Sequence, residues 1–202
     1  MKAIDLSIFV NNDFITYPSD PDYNSSIIKT IEKDRSLVNY LQLGTHTGTH
    51  VDSPAHIYKD GKKLCEYNVN DFIGRAFVVN LNNYKKFIDL DIDFDVLLLD
   101  TNWWQMINKS EYYGPNRPKI PLDLLEFAIK KKIKCFGCDL PSVDESGAKI
   151  KINHKLLLSN DILIYESLTN LNQIKFNQVF TFYGLPLNFD LEASPVRAIG
   201  VR

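Results

Sequence analysis

Short runs of apolar residues, some alternating with polar ones and some continuous, divide this chain into a series of predicted strands. "AIDLSIF" alternates, and "SSIIKTI" and "VNYLQLG" follow a turn rich in proline and aspartate, "TYPSDPDY". Further predicted strands are "AFVVNL", "DVLLLDT", "KCFGCDL", "ILIYESL" and "VFTFYGLPL". Continuous apolar strands of this kind are usually buried on both faces of a sheet.

One segment, "IPLDLLEFAIKKKI", has the pattern of an amphipathic helix. Pro121 suits a first helical turn, and Leu122, Leu125 and Ile129 form an apolar stripe. The lysines at its end suit the negative end of the helix dipole, so we interpret them as a helix terminus. A short second helix is predicted around "HKLLL". With no repeat or linker, the pattern predicts a single α/β domain over residues 1–202.

Composition narrows the range of functions. The chain is 45% hydrophobic and 24% charged, with a net charge of −2, which is ordinary for a globular protein and gives no basic surface for nucleic acid or anionic membranes. The first residues, "MKAIDLSIFVNNDFITYP", are too polar for a signal peptide, and no apolar run reaches the roughly 18 residues of a membrane span. We therefore expect a cytoplasmic protein with neither nucleic acid nor membrane as a partner.

A pair of cysteines and a run of aspartates could each be either part of the fold or a binding site. Cys135 and Cys138 form a C-x-x-C, but residues three apart in a strand point to opposite faces, so we expect two buried side chains and no metal or redox site. The stretch "IDLDIDFD" alternates apolar residues with aspartates at 89, 91, 93 and 95. It predicts a strand with one solvated face, with an acidic cation site as the alternative.

Three of the four histidines lie in the eleven residues from His46 to His56. His46, His50 and Asp52 supply two imidazoles and a carboxylate, the ligand types of a catalytic zinc site. The surrounding glycine, threonine and proline disfavour a helix, so we predict an extended segment in which the even-numbered residues share a face. Gly48, without a side chain, would leave room for an ion.

The fourth histidine, His154, precedes the predicted strand that contains Glu166. Ile162, Ile164 and Glu166 share one face of that strand. A carboxylate in place of a core aliphatic side chain needs a partner, and either a metal ion or a buried salt bridge would supply one.

Several segments together resemble the metal-dependent cyclase family, whose best-known members are bacterial kynurenine formamidases. "HTGTHVDSPAH" is similar to the family signature H-x-G-T-H-x-D-x-P-x-H. "TYPSDP", "FGCDLPSVDE", "HKLLLSNDILIYESLTNL" and "YGLPLNFDLEASPVRAIGVR" resemble four other blocks, so the similarity covers nearly the whole chain. It implies a compact α/β domain with a mostly antiparallel, barrel-like sheet and flanking helices.

The resemblance also implies a role for each histidine. His46, His50 and Asp52 would bind one divalent ion, and Asp52 would bridge to a second ion held by His154 and Glu166. His56 would be the catalytic acid/base and not a ligand. Zinc is the first expectation for both ions, with manganese or cobalt as alternatives. The family also implies a homodimer or homotetramer whose N-terminal segments complete the neighbouring active site.

The expected activity is hydrolysis of a carbon–nitrogen bond that is not a peptide bond. The resemblance favours the arylformamidase reaction of tryptophan catabolism, cleavage of N-formylkynurenine to kynurenine and formate. The alternatives are hydrolysis of an isatin-like cyclic amide or a lactone, a non-catalytic metal-bound sensor, and a structural protein with an incidental metal. Candidates for contact with a flat substrate, or for core packing, are Tyr17, Phe72, Trp103 and Trp104.

The chain departs from the family pattern at two positions. Ser19 stands where the family usually has glycine, and Asp100 stands where many relatives have arginine. We expect these changes to affect the turn at Tyr17-Pro18 and the substrate pocket, respectively.

Overall fold

In the computed structural model, which describes residues 2–88, 90, 92–176 and 178–202, nine strands form one sheet. Its order is β1-β11-β9-β5-β6-β7-β8-β4-β10, with parallel pairing only among β5, β6, β7 and β8. The strands are β1 (Ala3–Asp5), β4 (His50–Asp52), β5 (Ile73–Asn80), β6 (Val96–Asp100), β7 (Cys135–Cys138), β8 (Leu163–Glu166), β9 (Phe180–Tyr183), β10 (Ala193–Pro195) and β11 (Ile199–Val201).

The sheet curls strongly into a half-barrel. Leu6, just after the edge strand β1, accepts a hydrogen bond from the backbone of Thr169, just after β8, at 2.9 Å. These two strands are first and seventh in the sheet order, so their ends meet only because the sheet bends round. Five of the eight strand pairings are antiparallel, which confirms the predicted α/β fold with a mostly antiparallel sheet.

The two longer helices, α3 (Leu122–Lys131) and α4 (Ile152–Leu158), pack on one face of the sheet. The predicted apolar stripe of α3 was partly wrong: Leu122 is 54% exposed, whereas Leu124, Leu125 and Ala128 are buried. Leu122 is the first helical residue and faces solvent. The lysines end the helix as predicted, with Lys132 in the left-handed conformation.

Both cysteines are buried on opposite faces of the sheet, as predicted: Cys138 packs in the cluster under the helices and Cys135 in the cluster on the opposite face. The acidic stretch differs from its prediction. Asp89 and Asp91 lie outside the described residues, and Asp93 and Asp95 are not in a strand. Both instead contact Arg75: Asp93 pairs with its guanidinium, and Asp95 accepts from its backbone N–H at 3.1 Å.

A separate two-stranded hairpin, β2 (Asn24–Lys29) and β3 (Val38–Gln42), stands apart from the main sheet. A four-residue helix, α1 (Ile31–Asp34), joins its strands; another, α2 (Lys85–Ile88), follows β5. The hairpin and α1 expose large apolar side chains: Ile27, Ile28, Ile31, Leu37, Val38, Tyr40 and Leu41. Among the described residues, no helix is long and apolar enough to cross a membrane.

Candidate metal centre

Two neighbouring antiparallel strands bring the first three candidate ligands together. In the register of β4 and β8, His50 lies directly opposite Glu166, and Asp52 opposite Ile164. Facing residues in such a pair are close enough for their side chains to interact. His50 Nε2 lies 3.5 Å from both Glu166 Oε2 and Asp52 Oδ1. All three side chains are buried.

His154 reaches the same place from α4, which packs on the face of β8 that contains Ile164 and Glu166. His154 Nε2 lies 3.3 Å from Glu166 Oε1 and 3.5 Å from Asp52 Oδ2. Its Nδ1 is 2.6 Å from Asp144 Oδ2. A carboxylate on the outer nitrogen of a histidine fixes the orientation that leaves the other nitrogen free for a metal.

A turn, and not an extended segment, positions His46. Residues 45–49 form turns and bends, so the predicted common face holds only for His50 and Asp52. Gly48 has φ +66°, and a Cβ there would lie 2.8 Å from Val10 Cγ2; backbone conformation and packing therefore explain this glycine. Its carbonyl lies 2.9 Å from His50 Nδ1, which leaves Nε2 of His50 directed at the carboxylates. His46 Nδ1 lies 3.0 Å from Asp52 Oδ1.

The centre contains buried polar atoms that no described residue satisfies. His50 Nε2 and both carboxylate oxygens of Asp52 are buried and have no hydrogen-bond partner of good geometry among residues 2–88, 90, 92–176 and 178–202. Such atoms cost free energy unless they are paired, and a cation is the partner that imidazole and carboxylate groups share. Two groups of side chains have ligand atoms within 4.8 Å of one another: His46, Asp52 and His56, and His50, Asp52 and Glu166. The donor set therefore fits a divalent metal, and Asp52 belongs to both groups.

Without a metal, protons on the histidines supply part of the positive charge that the buried carboxylates need. Burial alone would lower the pKa of His50, but the carboxylates of Asp52 and Glu166 outweigh it and raise the pKa to about 9. Burial would raise the pKa of Glu166, but His154 and His50 lower it to about 2. The metal-free cluster thus holds charged imidazoles against ionised carboxylates.

His56 ends a short 3₁₀ helix, Pro54–His56, that starts just after β4. Its ring centroid lies 4.4 Å from that of His46 and 5.2 Å from that of His154. The rings of His46 and His50 are 4.9 Å apart, so all four histidines meet in one place. Burial is the main cause that lowers its pKa below 6.5. A neutral imidazole at neutral pH can accept a proton first and donate it later.

The histidines line a cavity of about 150 Å³. Of the four aromatic candidates, only Tyr17 lines it, and Tyr17 packs edge-on against Tyr113, another lining residue. Phe72 is buried in the core cluster on the opposite face of the sheet. Trp103 packs against the helix-side core and donates to the backbone of Tyr112 at 3.0 Å. Trp104 is half-buried outside the cavity lining.

The two departures from the family pattern fall in different places. Ser19 lines the cavity. Asp100 does not; along β6 it alternates with Leu99, which packs under the helices, so it lies on the side opposite the histidines. Its carboxylate accepts from the backbone of Asn102 at 2.9 Å, and burial raises its pKa.

Two carboxylates at the site were not singled out from the sequence. Asp144 supports His154, and its place in "FGCDLPSVDE" was the available signal. Glu192 lies 3.6 Å from His46 Nε2 and accepts from Thr45 Oγ1 at 2.7 Å. Because it comes from residue 192, just before β10, its nearness to His46 depends on the pairing of β10 with β4 and has no local sequence signal.

Known proteins resemble this chain over nearly its whole length. The family model described as "Putative cyclase" matches residues 4–145. A kynurenine formamidase of Bacillus cereus is 30% identical over 204 residues, covering 97% of this chain and 95% of that protein. An uncharacterised protein of Methanocaldococcus jannaschii is 31% identical and is covered completely, as is this chain.

Solved structures show the same fold. Isatin hydrolase A from Labrenzia aggregata, bound to benzyl benzoate, superposes with a TM-score of 0.86 at 21% identity, covering 98% of this chain and 93% of that one. An isatin hydrolase bound to the product analogue thioisatinate gives a TM-score of 0.81 at 20% identity, covering 98% and 91%.

Proposed function

The chain belongs to the cyclase family, and we propose that it is a metal-dependent hydrolase that cleaves N-formylkynurenine to kynurenine and formate. The proposal rests on a buried cluster of imidazole and carboxylate atoms that find no partner among the described residues, next to a cavity that His56 also lines. The kynurenine formamidase relatives support the choice of substrate, because they match over nearly their full length.

The residues that would hold the metal are the ones that the family resemblance implies, and all of them lie in the cluster around Asp52. We propose two divalent ions, zinc in the first instance, with Asp52 shared between them. His46 and His50 would complete one ligand set, and His154 and Glu166 the other. When bound, such ions lower the pKa of a coordinated water from about 15.7 towards 7 and polarise a substrate carbonyl.

The protein's own groups would then handle the protons. His56 is neutral at pH 7, so it can take the proton of the attacking water and pass it to the departing nitrogen. Asp144 holds the imidazole of His154 in one orientation through the 2.6 Å contact. The edge-on pair Tyr17 and Tyr113 would form an aromatic wall for a flat ring.

The test is turnover of N-formylkynurenine by chelator-treated protein before and after zinc or manganese is restored. We expect activity only with metal. If folded, metal-loaded protein does not turn this substrate over but opens isatin, the second candidate that the isatin hydrolase structures favour, the formamidase assignment is wrong. If it turns over neither compound, a metal-bound sensor becomes the better account.

We also propose that the chain assembles as a homodimer or homotetramer through its N-terminal hairpin. The hairpin of β2 and β3 exposes apolar side chains, and within the described part of the chain its two strands pair only with each other. Exposed apolar patches of this kind mark interaction surfaces. Burial against a second copy agrees with the N-terminal exchange that the family resemblance implies.

A further inference from the structure

An acidic and a basic side chain line the histidine cavity without forming an ion pair with each other. Asp20 and Lys151 both line it, and both are half-buried. Within the described residues, neither side chain forms an ion pair or a hydrogen bond, with the other or with a third group. The cavity therefore carries a fixed negative and a fixed positive group besides the proposed metal ligands.

Asp20 lies near Tyr113, one of the two residues of the aromatic wall. Burial and then the nearby carboxylate of Asp20 raise the pKa of Tyr113. The hydroxyl of Tyr113 donates to the carbonyl of Ile15 at 2.7 Å, so it is engaged and leaves the carboxylate free. Asp20 thus stands beside the wall against which a flat ring would rest.

Lys151 reaches the cavity from a different segment of the chain than Asp20 does. It immediately precedes α4, the helix that carries His154, so its position relative to the metal ligands is set by that helix. A partly desolvated, unpaired charge is costly, and a ligand group of opposite charge recovers that cost as a charge-assisted hydrogen bond. Two such charges of opposite sign suit a ligand that carries both signs.

We propose that Asp20 and Lys151 bind a zwitterionic α-amino acid group on the substrate, with Asp20 facing the ammonium and Lys151 the carboxylate. This rests on the proposed function, and it names the substrate class within it. N-formylkynurenine carries such a group on the side chain next to its formamide. Isatin is neutral and carries neither charge, so the pair would distinguish the two candidate substrates.

The test compares two formamides that differ only in this group: N-formylkynurenine, and ortho-formamidoacetophenone, which lacks the amino acid. We expect the wild-type kcat/KM to be higher for N-formylkynurenine. In Lys151→Met the ratio between the two substrates should fall about tenfold, through KM, as expected for one charge-assisted contact at a half-exposed site. Lys151→Arg should retain most of the ratio. Lys155→Met, an exposed lysine on the same helix, is the matched control and should leave the ratio unchanged.

The negative partner is tested with a third compound, the analogue that has the carboxylate but no amine. Asp20→Asn should reduce the advantage of N-formylkynurenine over this analogue about tenfold, whereas the exposed control Asp13→Asn should not. Far-ultraviolet circular dichroism and bound metal confirm that each variant is folded. A substrate ratio that does not change in Lys151→Met or Asp20→Asn would overturn the proposal.

Hydrolysis of the two formamides by the wild type distinguishes an error in the zwitterion site from an error in the proposed function. If wild-type protein hydrolyses the neutral formamide as well as N-formylkynurenine, the function stands and the zwitterion site is wrong. If it hydrolyses neither, the function is wrong, and calorimetric binding of kynurenine to the metal-loaded protein decides on the site. Binding that weakens about tenfold in both variants would support the site, and the absence of binding would overturn it.

Discussion

At the level of single residues, the side chains that would bind the metal are of types that can be recognised in the sequence. Four histidines, Asp52 and Glu166 stand out because imidazoles and carboxylates are rarely buried without a partner, and the structure brings them together. The aromatic candidates were harder to place, because an aromatic side chain fits a core as well as a pocket. Phe72 fills the core, and only Tyr17 lines the cavity.

If His56 is the acid/base and not a metal ligand, its replacement should lower turnover without loss of metal. We expect His56→Asn to lower kcat by about 10²- to 10⁴-fold, because an amide cannot relay the proton to the leaving nitrogen. Bound metal, measured by elemental analysis, should stay at the wild-type level. Loss of metal together with activity would show that His56 is a ligand, which its place beside His46 and Asp52 also permits.

At the scale of elements, the site depends on a strand pair, a helix and a turn, and these differ in how well a sequence predicts them. The face of β8 and the helix around His154 follow from periodicity, and both were predicted. The turn that carries His46 was not predicted, because the segment has no alternating apolar residues to set its conformation. Glycine at position 48 admits a left-handed backbone as readily as an extended one.

Gly48→Ala tests the turn against a matched control. Both Gly48 and Gly147 have positive φ, +66° and +70°, but a Cβ at Gly147 would meet no atom of the described residues within 4 Å. We expect Gly147→Ala to cost about 1 kcal/mol of unfolding free energy from backbone strain, and Gly48→Ala about 2–3 kcal/mol because of the added contact with Val10. Chemical denaturation measures both. Equal losses would mean that Val10 adjusts at no cost and does not constrain the turn.

At the scale of the whole molecule, the curl of the sheet and the closing strands were the least predictable features from residues alone. β10 and β11 are three residues each, too short for a periodic signal, yet β10 brings Glu192 to His46. Pairings this distant in sequence depend on the whole sheet and leave no local pattern. The resemblance to the cyclase family supplied what periodicity could not, including the barrel-like sheet.

The buried cluster makes the stability of the metal-free protein depend on pH. His50 has a folded pKa of about 9 against 6.5 unfolded, so its contribution is complete below pH 6.5 and is lost as pH rises towards 9. Glu166 has a folded pKa of about 2 against 4.5 unfolded, so its contribution is complete above pH 4.5 and is lost as pH falls towards 2. We expect metal-free protein to be most stable between about pH 4.5 and 6.5.

Metal should change this profile, because it replaces the protons on the imidazoles and binds more tightly as pH rises. Urea denaturation from pH 5 to 9, with and without zinc, should show stability falling above pH 6.5 only in the metal-free protein. Parallel curves in the two conditions would contradict the assignment of the cluster.

The oligomer proposal is tested with charged substitutions on the hairpin. Ile27→Glu with Leu41→Glu should reduce the molar mass in light scattering to that of one chain, because two carboxylates would enter an apolar interface. Ile150→Glu, an exposed apolar position away from the hairpin, is the control. An unchanged assembly in the hairpin variant, or a monomeric wild type, would count against the proposal.

If the buried cluster around Asp52 is a divalent metal centre, the number of ions bound per chain will show it. Calorimetric titration of metal-free protein with zinc, checked by elemental analysis, should give two ions for the wild type. In Asp52→Asn, binding should weaken by more than about 100-fold, since losing an outer-shell partner alone costs 10- to 100-fold. The exposed control Asp93→Asn should bind as the wild type does. A wild type that binds no ion, or an Asp52→Asn variant that binds zinc as tightly as the wild type, would show that the cluster is not a metal centre built on Asp52.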